Sequence, residues 1–159
     1  MFRLRIWTGF RRRVDKTVSG GQSGPDLNTA LMRSRSDDTR TRLDAVAELG
    51  AFIGHSEAWE RLDEMMDDAN VTVEVDAAEV LVRHGGKAGL HAVLDRLGTR
   101  REDADVDYIA YMLQNLDFGG EFPVIEIANS IDVADLSPMA KLGLRDLRRL
   151  MFSRWDDPD

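Results

Sequence analysis

An offset of 32 residues superposes two stretches of this chain, and no other feature of the sequence restricts the fold as strongly. Residues 39–70 and 71–102 share six identical positions at that offset. The identities are Asp44 with Asp76, Ala45 with Ala77, Leu49 with Leu81, Gly54 with Gly86, Leu62 with Leu94, and Asp63 with Asp95. A unit of this length cannot bury its apolar face alone, so similar units are expected to stack on one another. The offset therefore predicts a chain of consecutive, similar units.

The apolar residues within each unit follow the spacing of a helix. Leu43, Val46, Ala47 and Gly50 recur at intervals of three and four residues, which places them on one helix face. We expect glycines to end the first helix of each unit, because the residue beyond a helix end often adopts a left-handed conformation that glycine takes without strain. These glycines are Gly54, Gly85-Gly86 and Gly119-Gly120. An all-α fold follows, although residues 124–127 also fit a strand.

Two helix starts are marked by capping residues. Asp26 precedes a short apolar helix, and its carboxylate is suited to accept from the free N–H groups of the first turn. Ser137 precedes Pro138, and a serine N-cap followed by proline at the first helical position is typical of a helix start. The sequence therefore predicts one helix before the repeated units and one after them.

The paired helices, glycine turns, Asp-Asp linkers and internal Asp-Ala pairs resemble the HEAT repeat family. They are most similar to its short units, named after phycobilisome lyases. The resemblance covers residues 26–131 and implies a right-handed α-solenoid of about three helix pairs, with the helix after Ser137 as a C-terminal capping helix. The family's usual Val-Arg is Val73-Glu74 in the second unit, whereas Arg42 keeps the arginine in the first. We therefore expect the Asp–Arg ladder that often links such repeats to be partly broken.

The net charge of −8 is distributed unevenly along the chain. Residues 1–24 carry six basic residues and one acidic residue, a net +5, so the remainder carries −13. An acidic body repels phosphate backbones, so we expect no nucleic-acid binding by the repeats. The partner that such a body suits is a basic protein.

Composition divides the chain into four segments. They are a basic amphipathic N-terminal arm at 1–18, a Gly/Ser linker at 19–25, the HEAT-like domain at 26–152 and an acidic tail at 153–159. We expect contact with a membrane only through the arm, where Phe2, Ile6, Phe10 and Val14 recur every fourth residue. The linker predicts an arm that is dispensable for folding. The alternative is an arm that docks onto the first unit.

Residue types that carry chemistry are scarce. The chain has no cysteine, which excludes a disulfide scaffold, a thiolate metal site and a cysteine nucleophile. His55, His84 and His91 follow no metal-ligand spacing. Carboxylate pairs such as Asp37-Asp38 and Asp67-Asp68 directly precede first helices, where acidic residues cap the free N–H groups. We therefore predict no catalytic residue, no metal site and no cofactor.

The candidate partner-binding residues lie on the second helices of the first two units. At the 32-residue offset Trp59 falls on His91 and Asp63 on Asp95, which predicts an aromatic row beside an acidic row. An exposed tryptophan among carboxylates is typical of a protein-binding hot spot. The predicted set is Trp59, Glu60, Asp63, Glu64, His91 and Asp95.

These patterns predict a non-enzymatic, protein-binding HEAT-like module whose acidic concave face binds a cationic protein. A bacterial immunity protein or antitoxin that blocks a basic toxin is one form of this function, and the composition is typical of GC-rich bacterial coding. The alternatives are an accessory subunit of a lyase-type or DNA-repair-type enzyme, and a membrane-surface adaptor that uses the arm. No apolar run long enough to span a membrane and no secretory signal is found, so we expect a cytoplasmic location.

Overall fold

The computed structural model describes residues 26–152, and every regular element in that range is helical. The α helices are α1 Leu27–Arg33, α2 Thr39–Gly50, α3 Ser56–Met65, α4 Val71–Thr99, α5 Val106–Phe118, α6 Val124–Asn129 and α7 Pro138–Phe152, with a 3-10 helix at Val133–Asp135. The all-α prediction is confirmed, and residues 124–127 are helical rather than extended. The arm at 1–18, the linker at 19–25 and the tail at 153–159 lie outside the described residues.

The helix starts are fixed by side-chain caps. The Asp26 carboxylate accepts from the backbone N–H of Thr29 at 2.9 Å, and Asp38 accepts from Thr41 at 2.8 Å. Ser137 Oγ accepts from the backbone N–H of Ala140 at 2.9 Å. The predicted starts at Asp26 and Ser137 are therefore confirmed, as is the capping role of the second carboxylate in the Asp37-Asp38 pair.

α4 reverses direction at Gly86, where φ is +58° and the helical backbone is interrupted. A Cβ on Gly89 would lie 1.8 Å from the carbonyl oxygen of Leu81, so the two halves of α4 pack backbone against backbone. Gly120 also has a positive φ, as the sequence predicts. Gly54 does not: α2 ends at Gly50, and a short turn with no left-handed residue leads into α3. The prediction of a left-handed Gly54 is therefore wrong.

α4 forms the centre of the core. It packs against α2, α3, α5, α6 and α7, and its residues Leu81, Leu90 and Leu94 are fully buried. α7 crosses the second half of α4 at two glycines. A Cβ on Gly98 would lie 1.9 Å from the carbonyl oxygen of Met139, and one on Gly143 would lie 2.0 Å from that of Leu94. The last helix is therefore held against the middle of the fold.

Two ion pairs occupy positions that are 32 residues apart. Near the start of α2, Arg42 donates two hydrogen bonds to Asp68, at 2.8 and 2.9 Å. Near the start of α4, the buried Glu74 accepts from Arg100 Nη1 at 3.0 Å, and the same nitrogen donates to the backbone oxygen of Met66 at 2.8 Å. The Asp–Arg ladder is expected to break at Glu74, but an ion pair forms there too. Arg100, at the position equivalent to Asp68, supplies the positive charge that pairs with Glu74.

Candidate functional site

Three of the predicted binding residues surround one cavity between α3 and the second half of α4. The cavity has a volume of about 280 Å³. Its lining residues are Asp63, Ala88, His91, Ala92, Asp95, Arg96 and Ser137. The 32-residue offset that relates Asp63 to Asp95 therefore corresponds to real proximity, since both carboxylates face the same space.

The carboxyl group of Asp63 lies among several other charged groups of this cavity. Its side chain is half-buried, and burial raises the pKa of its carboxyl group. Arg96 Nη2, at 3.4 Å from the Asp63 carboxylate, opposes that rise in pKa, whereas Asp67, Asp95 and Glu64 add to it. Arg96 also forms an ion pair with Asp67. One guanidinium thus serves two carboxylates, and negative charge remains in excess around the cavity.

His91 and Asp95 hold the start of α7 in place. The backbone N–H of Ser137 donates to His91 Nε2 at 3.3 Å, and the Ser137 hydroxyl donates to the Asp95 carboxylate. The serine, histidine and aspartate do not form a nucleophilic triad, because the hydroxyl bonds the carboxylate directly and the imidazole bonds the backbone. The arrangement caps a helix and gives neither residue a reacting partner.

Trp59 lies away from the cavity, against the turn in α4. A Cβ on Gly85 would lie 2.7 Å from the tryptophan ring, so the ring covers this glycine. The side chain is half-buried and packs against the hydrophobic core. The sequence predicts a solvent-exposed tryptophan beside an aromatic position at His91. In the structure the ring packs against the core, and only its remaining surface reaches solvent.

Glu60 and Glu64 are the exposed members of the predicted set. The Glu64 carboxylate accepts from Arg61 Nη1 at 2.8 Å, whereas the Glu60 carboxylate has no ion pair or hydrogen bond within residues 26–152. Asp67 is exposed as well. Together with the cavity, these side chains form a surface that we call the α3 surface, composed of Glu60, Asp63, Glu64, Asp67, Asp95 and Arg96.

Sequence reasoning did not predict that Arg96 and Ser137 line the cavity, although it identified Ser137 as a helix cap. The only signal for Arg96 is its position beside Asp95, and no spacing rule indicates that it reaches back to α3. Exposed aromatic residues on α5 were not predicted from the sequence either. The exposed fractions of Tyr108, Tyr111 and Phe118 are 56%, 48% and 55%. Their spacing of three and seven residues places them along one helix face.

Three further observations bear on function. Within residues 26–152, no group of three or more His, Asp or Glu side chains is placed to hold a metal ion. No helix in that range has both the length and the apolar character to cross a membrane. No protein-family model matches the sequence, and comparisons with curated proteins and with solved structures find no match.

Proposed function

We propose that the chain is a non-enzymatic protein-binding module of the HEAT type, and that its α3 surface binds a cationic protein. The half-buried Asp63 carries this proposal. Its carboxylate faces a cavity of about 280 Å³, where burial raises its pKa and Arg96 is the one cation of residues 26–152 that opposes the rise. A Lys or Arg side chain of a partner would place a cation there and form charge-assisted hydrogen bonds with these carboxylates.

The repeat architecture is part of the proposal. The pairs Arg42–Asp68 and Glu74–Arg100 keep a 32-residue register, as expected of two similar units. The helix pairs would be α2 with α3, the two halves of α4, and α5 with the short α6. α7 packs across the second half of α4, so it would lie over the second unit rather than beyond the last one. A stack of this kind presents its second helices as one continuous surface.

Exposure of Glu60, Glu64 and Asp67 supports a role for the α3 surface in association. Exposed charges of one sign steer an oppositely charged partner during diffusional encounter, and rising salt weakens that effect. Trp59 lies in α3, next to Glu60 in the chain, and would supply apolar contact area at the edge of the interface. A basic toxin bound by an immunity-type inhibitor is one partner of this chemistry.

The experiment is affinity capture with the full-length chain as bait, from a lysate of its source organism. Three baits are compared: the wild type, Glu60→Lys/Glu64→Lys, and Glu102→Lys/Glu126→Lys. The last pair is a matched control, because both glutamates are exposed and form no ion pair within residues 26–152. We expect the wild type and the control to retain the same basic protein and the α3 variant to lose it. Retention by all three baits, or capture of an acidic protein alone, would contradict the proposal.

A further inference from the structure

A second acidic region lies between α2 and the first half of α4, whereas the α3 surface is formed by α3, Asp67 and the second half of α4. It is a groove of about 870 Å³, which we call the α2–α4 groove. It is lined by Arg33, Arg40, Leu43, Asp44, Ala47, Glu48, Thr72, Asp76 and Glu79. Four carboxylates thus share the groove with two guanidinium groups.

Two of these carboxylates are incompletely paired. Asp76 is half-buried, and its carboxylate has no hydrogen bond or ion pair with residues 26–152. Burial raises the pKa of this carboxyl group, and Glu79 adds to the rise. Glu48 pairs with Arg33 through Oε1, but its buried Oε2 has no hydrogen-bond partner in the same range. Burying carboxylate oxygens without a partner is unfavourable. The groove is therefore suited to a ligand that brings cations.

The groove adjoins an apolar surface. Thr72 lines both the α2–α4 groove and a shallower depression of about 400 Å³ between α4 and α5. That depression includes Val71, Val75 and the exposed rings of Tyr108 and Tyr111. From α1 outward, the surface is first acidic and then apolar and aromatic.

We propose that this surface binds the chain's own N-terminal arm, residues 1–18. The arm carries its densest positive charge nearest the linker, at Arg11-Arg12-Arg13 and Lys16, and its bulky apolar side chains farther away, at Phe2, Ile6, Trp7 and Phe10. Moving along the arm away from the linker, the positive charges come before the apolar side chains. Moving along the surface away from α1, the acidic groove likewise comes before the apolar and aromatic part. The basic part would lie in the α2–α4 groove, and the apolar part would lie against Tyr108 and Tyr111.

The tether is long enough for this arrangement. The linker at 19–25 joins the arm to α1, and seven extended residues span about 24 Å. α1 has seven residues, is about 10 Å long, and carries at its end Arg33, which lines the groove. A tethered segment also has a high effective concentration at a nearby surface, so weak contacts suffice to hold it.

Paramagnetic broadening in the full-length protein tests the proposal. The chain has no cysteine, so a spin label on Thr8→Cys is attached at one position. We expect loss of amide signal along 40–48, 72–79 and 108–112, and unchanged signals in α6. A sample of labelled chains mixed with unlabelled, isotope-enriched chains distinguishes binding within a molecule from binding between molecules.

Substitutions on each side of the contact sharpen the test. Arg11→Glu/Arg12→Glu/Arg13→Glu should abolish the broadening, and Asp76→Asn should reduce it. The exposed Asp135→Asn is the matched control and should leave it unchanged. The proposal is overturned by an absence of broadening, by broadening centred on α3, or by broadening that occurs only between molecules. The capture experiment tests partner binding by the α3 surface separately.

Discussion

Arg100 donates to the buried carboxylate of Glu74 at the two positions that lie 32 residues beyond Arg42 and Asp68. In the first pair the arginine is near the start of α2 and the carboxylate precedes α4. In the second pair the charges are exchanged. Both ion pairs join equivalent positions. The 32-residue offset between them is therefore kept, although the acidic and basic residues have changed places.

Removing the Glu74 carboxylate should be costly. Glu74 is 4% exposed, and Glu74→Ala would leave the guanidinium of Arg100 partly buried without this partner. Because Arg100 keeps its ion pairs with Asp103 and Asp67, we expect a loss of about 2 kcal/mol in the free energy of unfolding, measured by urea denaturation. Glu102→Ala, at an exposed glutamate, should change it by less than about 0.5 kcal/mol.

Exchanging the charges of the second pair should restore much of that stability. Glu74→Arg alone would place two cations together, whereas Glu74→Arg/Arg100→Asp reproduces the polarity of Arg42 and Asp68. We expect the double variant to unfold at a higher urea concentration than Glu74→Arg. Simple addition of the two single losses would show that the positions do not interact.

The crossing of α4 and α7 leaves no room for a methyl group at Gly98. Gly98→Ala would place Cβ 1.9 Å from the Met139 carbonyl oxygen, so the helices must separate. We expect a loss of about 2 kcal/mol or more in the free energy of unfolding. Gly54→Ala is the matched control, since open space surrounds that position and its φ is negative. It should be neutral or stabilising by about 0.5 kcal/mol. Equal effects of both substitutions would contradict the close crossing.

The pKa of Asp63 makes stability depend on pH in a definite direction. Burial raises this pKa in the folded state, so the folded chain holds the proton more tightly than the unfolded chain does. The associated stability is present below the unfolded pKa of about 3.9 and is lost as pH rises through the folded pKa. Asp63→Asn should therefore stabilise the protein at neutral pH, with the advantage over wild type vanishing in acid. Thermal melts of both proteins from neutral pH into acid measure this advantage. A difference between the two proteins that did not change with pH would contradict a raised pKa at Asp63.

The Ser137 cap should hold the first turn of α7 in place. Ser137→Ala removes the acceptor for the Ala140 N–H and the hydroxyl that donates to Asp95. A loss of about 1 kcal/mol is expected from chemical denaturation. Amide exchange in the first turn of α7 should rise, while exchange in α2 should stay as in wild type. Unchanged exchange at 138–141 would contradict the cap.

Local signals in the sequence were sufficient for the helices and their caps. Asp26 and Ser137 act through N–H groups three residues away, so their roles follow from short spacing alone. Gly86 likewise marks a reversal that the glycine pair predicts. The prediction of a left-handed Gly54 was wrong because α2 ends four residues earlier, and the intervening turn needs no left-handed residue.

Tertiary contacts account for what the sequence did not reveal. The offset brought Asp63 and Asp95 to one cavity, but the hydroxyl that engages Asp95 belongs to Ser137, 42 residues along the chain. Trp59 covers Gly85 because α3 packs against the turn of α4, which no period in the sequence indicates. Arg100 pairs with Glu74 across 26 residues. Such partners are set by how helices pack, and a single sequence carries little information about that.

The most direct test of the central claim is a calorimetric titration of the captured basic partner into the full-length protein, at low and at physiological salt. If the α3 surface binds the partner, Glu102→Lys/Glu126→Lys should bind it as wild type does, and wild-type affinity should fall as salt rises. Glu60→Lys/Glu64→Lys should lose about 100-fold in affinity, equivalent to about 2.8 kcal/mol. Wild-type affinity in Glu60→Lys/Glu64→Lys, at either salt concentration, would contradict the account.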